Sequence, residues 1–253
     1  MSEMLFFNQR LIVFAAAPPY NKPRTCSLKI YFRRCLMANR PVYYAIERKP
    51  YFIATHTEFE YFSGFSKAQK QRCIASLHQS FLSERPNMKI LEISSKSPLD
   101  LGVALSAFNL KISHADQEFT VETAYQSSKV FQKGGPFTDL LAVTSREAKK
   151  DPRLQNSGKL IGYQYFDQKF PLQPTNFFYN WLYINALHQN PELASQILAY
   201  DAFTDIEFNP NRSVNCQAKA AAVYVGLSRA GLLEKALESP ESFFEVLTDS
   251  RCP

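Results

Sequence analysis

The sequence predicts a helix-rich α+β fold, a single domain with a small antiparallel sheet near its N-terminal side. Three observations carry this. From Pro41 to Phe62, aromatic and β-branched residues alternate with polar ones at the two-residue period of half-buried strands. After Asn176, apolar residues recur instead at helical spacing, with caps between the runs. Repeats, low-complexity tracts and long linkers are absent, and 253 residues suffice for one substantial core.

In chain order, the Pro41–Phe62 stretch reads as two or three strands, the first pair turning near Arg48-Lys49-Pro50. Ser66 is placed to cap a helix running to about Ser80, whose Cys73, Leu77 and Phe81 fall on one face. Lys89 to Ile93 reads as a strand, and Lys111 to Thr120 as two short extended runs around a polar turn. A helix over 120–131 follows, ended by Gly134-Gly135-Pro136. Ser145 can cap a short basic helix through Lys150, and Gly162 to Phe170 reads as a hairpin set into helical context. The remaining helices are Asn176 to His188, Pro191 to Leu198 with Asn190 as cap, Ala218 to Ser228, and Pro240 to Leu247 capped by Ser239.

Composition excludes several classes. Hydrophobic residues at 45% and charged residues at 21% describe a folded globular chain. Residues 1–36 carry six basic side chains against Glu3 alone, so +5 of the net charge of +6 sits there. The part from Met37 onward is near neutral, which excludes a polybasic nucleic-acid surface and leaves only local patches. Those first residues lack period and caps and contain Ala15-Ala16-Ala17-Pro18-Pro19. They read as a leader preceding a true start at Met37, or as a disordered basic arm able to touch DNA phosphates. Leu11 to Ala17 is too short for a membrane span or a secretory signal, so no membrane partner is expected.

Five scattered cysteines without a C-x-x-C fit a reducing compartment, and a cytoplasmic location is expected. Four histidines far apart in the chain give no metal-ligand spacing, so no metal is expected. With eight glycines and neither a Walker A nor a G-x-G-x-x-G loop, triphosphatase and dinucleotide chemistry are disfavoured, and no cofactor is expected.

The most informative segment is Thr120–Phe131, TVETAYQSSKVF. As a helix it aligns Glu122, Gln126 and Lys129 at offsets of four and seven, an acid, an amide and an amine on one narrow stripe. The segment resembles the "TVEHYYQAQKF" signature of the NADAR (YbiA-like) family. Further elements match in order: Leu105-Ser106-Ala107-Phe108 resembles "LSNF", Arg146 to Arg153 resembles "EAKKLGR", and Ala186 to Leu193 resembles "KFxQNPEL". Asp205 to Pro210 stands where the family has "xVEASP", and Asn215 to Val225 where it has "NxLGxxLMxV". Ala107 replaces the family's Asn, Arg212-Ser213-Val214 stands in place of a Trp-Gly-x-Gly stretch, and Ile161 to Phe166 is an insertion. This variant is similar to the NADAR branch encoded beside DarT-type toxins, which ADP-ribosylate guanine in DNA.

The resemblance implies a YbiA/NADAR-like catalytic domain over 37–253 and an N-glycosidase that removes ADP-ribose from guanine, countering the toxin as its functional partner, with ADP-ribosylated DNA as substrate. Cleaving a base–ribose bond builds positive charge at the anomeric carbon, which a carboxylate stabilises while a proton donor helps the base leave. Glu122 matches the family carboxylate, although a glutamate in the first helical turn also serves the macrodipole. Lys129 is set to pair with Glu122, to bind diphosphate, or to form an imine at the anomeric carbon, a reaction closed to arginine. Arg146, Lys149 and Arg153 suit two phosphates, or simply a solvated basic helix. Ser106, Asn109, Gln126, Glu207 and Asn215 are candidates for ribose or base contacts, with local loop bonding as the alternative for the loop residues. Phe108 and Trp181 are read as core. Two other functions stay open: a glycosidase acting on ribosylated pyrimidines of riboflavin metabolism, and a non-catalytic protein that binds ADP-ribose, modified nucleic acid or a toxin.

Overall fold

A computed structural model describes residues 36–209 and 215–248. The leader expected before Met37 lies outside the described residues apart from Leu36, as does Arg212-Ser213-Val214. The alternating aromatic segment forms β1 (Leu36–Ala45) and β2 (Phe52–Tyr61), joined by a turn that holds Tyr51 at φ 70°. After α1 (Lys67–Glu84) and β3 (Ile90–Glu92), the sheet is completed from far along the chain by β9 (Ala202–Thr204). Its order is β2-β1-β9-β3. The antiparallel expectation holds for the β1–β9 pair, but β9 runs parallel to β3.

Period-two alternation assigns each face of this sheet. Val42, Phe59 and Ala202 face α1, where they meet Ile74, Leu77 and Phe81. Tyr43, Leu91 and Phe203 point the other way, into the main core. That core is built on α6 (Phe177–His188) and α8 (Gln217–Arg229). The shorter α2 (Asp100–Ala104), α3 (Val121–Ser127), α4 (Ser145–Lys150) and α5 (Arg153–Asn156) come between β3 and α6 in sequence, and α7 (Pro191–Ile197) follows α6. Both α6 and α8 are buried around most of their circumference, the pattern of central rather than surface helices. α9 (Leu233–Leu237) and α10 (Pro240–Leu247) close the chain.

Two further sheets complete the fold. β4 (Lys111–His114) and β5 (Gln117–Thr120) form the expected hairpin. β6 (Lys129–Phe131), β7 (Leu160–Tyr165) and β8 (Gln168–Phe170) form a three-stranded antiparallel sheet, so the inserted segment is indeed a hairpin.

The expected helix over 120–131 is corrected. α3 stops at Ser127, and Lys129 opens a strand. The Ser127 and Ser128 hydroxyls both donate to the Ala124 carbonyl, at 2.9 and 2.7 Å, competing with the helical backbone ladder. Val130 and Phe131 then pair with β7, and the Ser128 carbonyl accepts from Gln164 N–H at 2.7 Å. Two caps also move. Thr144, not Ser145, caps α4, in a reciprocal box with Glu147; the buried Ser145 hydroxyl instead donates to the Phe108 carbonyl. Asn190 precedes α7 as expected, yet its amide donates to the Ala186 and Lys111 carbonyls instead of capping.

Candidate active site

Helix α3 is placed by its first turn. Thr120 caps it, and Glu122 N–H donates to the Ala107 carbonyl at 2.8 Å. Ala107 N–H in turn donates to Gln217 at the start of α8, and the other end of that amide holds the Ile93 carbonyl. The Ser106–Ala107 loop, α3 and α8 are thereby fastened around a cavity of about 630 Å³, in the range of small-molecule sites.

Glu122, Gln126, Lys129 and Lys149 line this cavity. Glu122 is only 6% exposed, and its Oε1 accepts from Gln126 Nε2 at 2.9 Å and faces Lys149 Nζ at 3.7 Å. A buried carboxylate requires such partners. Gln126 Oε1 is buried and makes no hydrogen bond, leaving an acceptor at the cavity wall for a donor from outside the protein. Lys129 Nζ lies 4.9 Å from the Tyr125 ring centre. Burial lowers its amine to about 8; the Glu122 carboxylate resists that shift, and Lys149 adds to it.

An aromatic wall faces these groups. Tyr125 hydroxyl meets Tyr163 hydroxyl at 3.0 Å and also bonds the Asn215 side chain. Burial foremost pushes the Tyr125 and Tyr179 phenols above their usual range, so both stay neutral. The third wall is acidic. Asp205 follows β9, and its Oδ1 accepts from the N–H groups of Glu207 and Phe208. Behind it, the fully buried Glu92 accepts from Thr204 hydroxyl and Ile206 N–H. Burial, and then the Glu92 carboxylate, drives Asp205 well above the ordinary carboxylate range. Asp205 lines the cavity, and its burial beside Glu92 favours the neutral form of its carboxyl. Glu207 accepts from Ser95 hydroxyl at 3.0 Å.

Of the residues singled out in the sequence, Glu122, Lys129, Ser106, Gln126, Lys149, Glu207 and Asn215 meet at this cavity. Three do not line it. Asn109 is exposed, and its amide donates to the Val103 carbonyl and to Ser106, so it braces the loop. Arg146 points outward from α4. Arg153 is held by Asp139 and Asp151, with bonds of 2.6 to 3.1 Å that occupy its fork. Spacing along a helix suggested a phosphate triad; local acids claim one member and orientation removes another.

Phe108 is not core: it is half-buried in the cavity wall, with Lys149 Nζ 4.9 Å from its ring centre. Tyr125, Tyr163, Tyr179 and Asp205 were missed. Tyr125 and Asp205 sit inside segments that match family motifs, so the motifs held the signal. Tyr179 lies on an aromatic helix whose other members are core, and nothing in the pattern sets it apart.

Among the described residues, no helix is long and apolar enough to cross a membrane. A comparison with curated proteins finds no match. A family model described as DarT1-associated NADAR antitoxin matches residues 38–252, the whole length of chain that builds the cavity. The chain belongs to the DarT1-associated NADAR antitoxin family.

Proposed function

We propose that this protein is a cytoplasmic N-glycosidase that removes ADP-ribose from guanine in DNA and so reverses the action of a DarT-type toxin. The observation that carries the reading is the buried Glu122 carboxylate sharing one cavity with the Lys129 amine, beside an acceptor with no protein partner. In net chemistry, the bond between the anomeric carbon and the guanine nitrogen breaks. Water supplies a hydroxyl to that carbon and a proton to the base. Glu122 stabilises the positive charge that develops on the sugar. Asp205 is placed to give the departing base its proton. Lys149, at the rim, suits the diphosphate.

Lys129 has the properties of a nucleophile. With its amine near 8, a sizeable neutral fraction exists at physiological pH, whereas an ordinary lysine has almost none. Attack on the carbon of the opened ribose would expel the guanine nitrogen and leave an imine, which water then hydrolyses. The lysine-dependent rate should rise with pH and level off above about 8, in step with the neutral amine. The same shift acts on stability. Because the folded amine binds its proton less tightly than the unfolded one, burial of Lys129 weakens the fold at neutral pH, and the penalty is relieved between about 8 and 10.5.

Incubation with guanine-ADP-ribosylated DNA should release ADP-ribose. Borohydride added during turnover should leave an ADP-ribose adduct on Lys129, detected by peptide mass, and none in Lys129→Arg. Full activity in Lys129→Arg would confine the lysine to an electrostatic role. Tight binding of modified DNA without release would favour the non-catalytic alternative.

A further inference from the structure

A second cavity, of about 370 Å³, opens where the tips of two hairpins meet. His114 ends β4 and Phe166 follows β7, and their rings stack with centres 3.8 Å apart and planes 19° from parallel. Each hairpin turns through a residue of positive φ that is not glycine, Ala115 at 51° and Phe166 at 50°. An aromatic residue is ill suited to that backbone region, where Gly, Asn or Asp is usual. Its ring is thus held in the cavity wall against local preference. Trp181, 9% exposed, also lines the cavity, and its indole N–H is buried with no hydrogen-bond partner. Asn185 and Gln189 supply amides at the lining.

The two cavities are joined by a continuous run of rings. From Tyr125 the run passes to Tyr163 at 5.5 Å, to Phe178 at 4.8 Å, to Tyr165 at 6.2 Å, and to Phe166 at 4.7 Å. Tyr163 lines the first cavity and Tyr165 the second, two residues apart on one strand. That separation is about 7 Å along β7.

We infer that this second cavity binds an unpaired nucleobase next to the modified guanine on the same DNA strand. The inference rests on the DNA reading above. Its support is the match of chemistry: the exposed His114 ring backed by the half-buried Phe166, amides that meet base edges, and an unsatisfied indole donor. The lining offers no cluster of basic side chains, so it suits a base and not a phosphate.

Trp181 is the single tryptophan of the chain, so its fluorescence reports on this cavity directly. Titrating the full chain with a short unmodified single-stranded oligodeoxynucleotide should quench it saturably. His114→Ala, at an exposed position, should weaken that binding about tenfold, the scale of losing one stacked base. Phe166→Asn, which accepts positive φ, should do the same. In turnover, both variants should raise KM for an ADP-ribosylated oligonucleotide about tenfold and cleave ADP-ribosylguanosine, which lacks a neighbouring base, at the wild-type rate. An absent quench, or equal effects on the long and short substrates, would overturn the inference. So would quenching by a toxin-derived peptide but not by DNA, which would make this a protein groove. If wild-type protein cleaves neither substrate, the glycosidase reading fails, while the fluorescence titration still decides the second cavity.

Discussion

Glu122→Gln is expected to lower kcat/KM on guanine-ADP-ribosylated DNA by about 100- to 1,000-fold, the usual consequence of removing one preorganised charge-stabilising group. The substitution preserves size and leaves an oxygen that still accepts from Gln126, so the fold and the α3 anchor to Ala107 should survive. On the proposed mechanism, what disappears is the negative charge opposite the forming cation. A second consequence follows from the same charge. Glu122 is the group that opposes the depression of the Lys129 amine, so its loss should move the pH dependence of the residual rate downward. Release of ADP-ribose measured across pH, with thermal unfolding of the same sample as control, checks both. Wild-type turnover by Glu122→Gln would remove the carboxylate from the chemistry.

Gly226→Ala should cause a large loss of stability. Gly226 lies on α8 directly under the β1–β2 turn, and an added Cβ would sit 2.2 Å from the Tyr51 carbonyl oxygen and 2.7 Å from that of Ile46. Neither oxygen can retreat easily. The Tyr51 carbonyl accepts from Ile46 N–H, and Tyr51 N–H donates to Arg48 at 2.6 Å, locking the turn. Overpacking against fixed backbone costs about 3 kcal/mol, which at this chain length lowers Tm by about 6–12 °C. Gly162→Ala is the comparison, since its new Cβ would meet only Phe170 O at 3.3 Å. Equal melting of the two variants would show that the helix and turn separate without cost.

The elements that were legible in the sequence are those whose own residues determine them. Ser66 and Ser239 cap the helices they precede, and the alternation in β1 and β2 follows the pleat. β9 was invisible because three residues, Ala202–Thr204, carry too little pattern; their strand character comes from neighbours on both sides. The same divide runs through the site. Glu122 and Gln126 could be grouped because a single helical turn joins them. Lys129 was grouped with them for a partly wrong reason: the helix ends first, and it is the strand pairing with β7 that keeps the amine at the cavity. Arg153 stays off the cavity because Asp139, fourteen residues earlier, holds it, and sequence spacing gives no sign of such a partner.

The position of β9 also bears on synthesis. β3 and β1, made early, become neighbours of a common strand only when residues 202–204 enter between them, and Asp205 reaches the cavity by the same step. Gln217, which ties the Ser106–Ala107 loop, comes later still. Loop closure over such sequence distances slows folding. A ribosome-bound chain or a fragment ended before α8 therefore has no route to the complete pocket. For a member of an antitoxin family, completion of the pocket then lags translation by the time needed to make and dock the stretch from β9 onward, about a fifth of the chain.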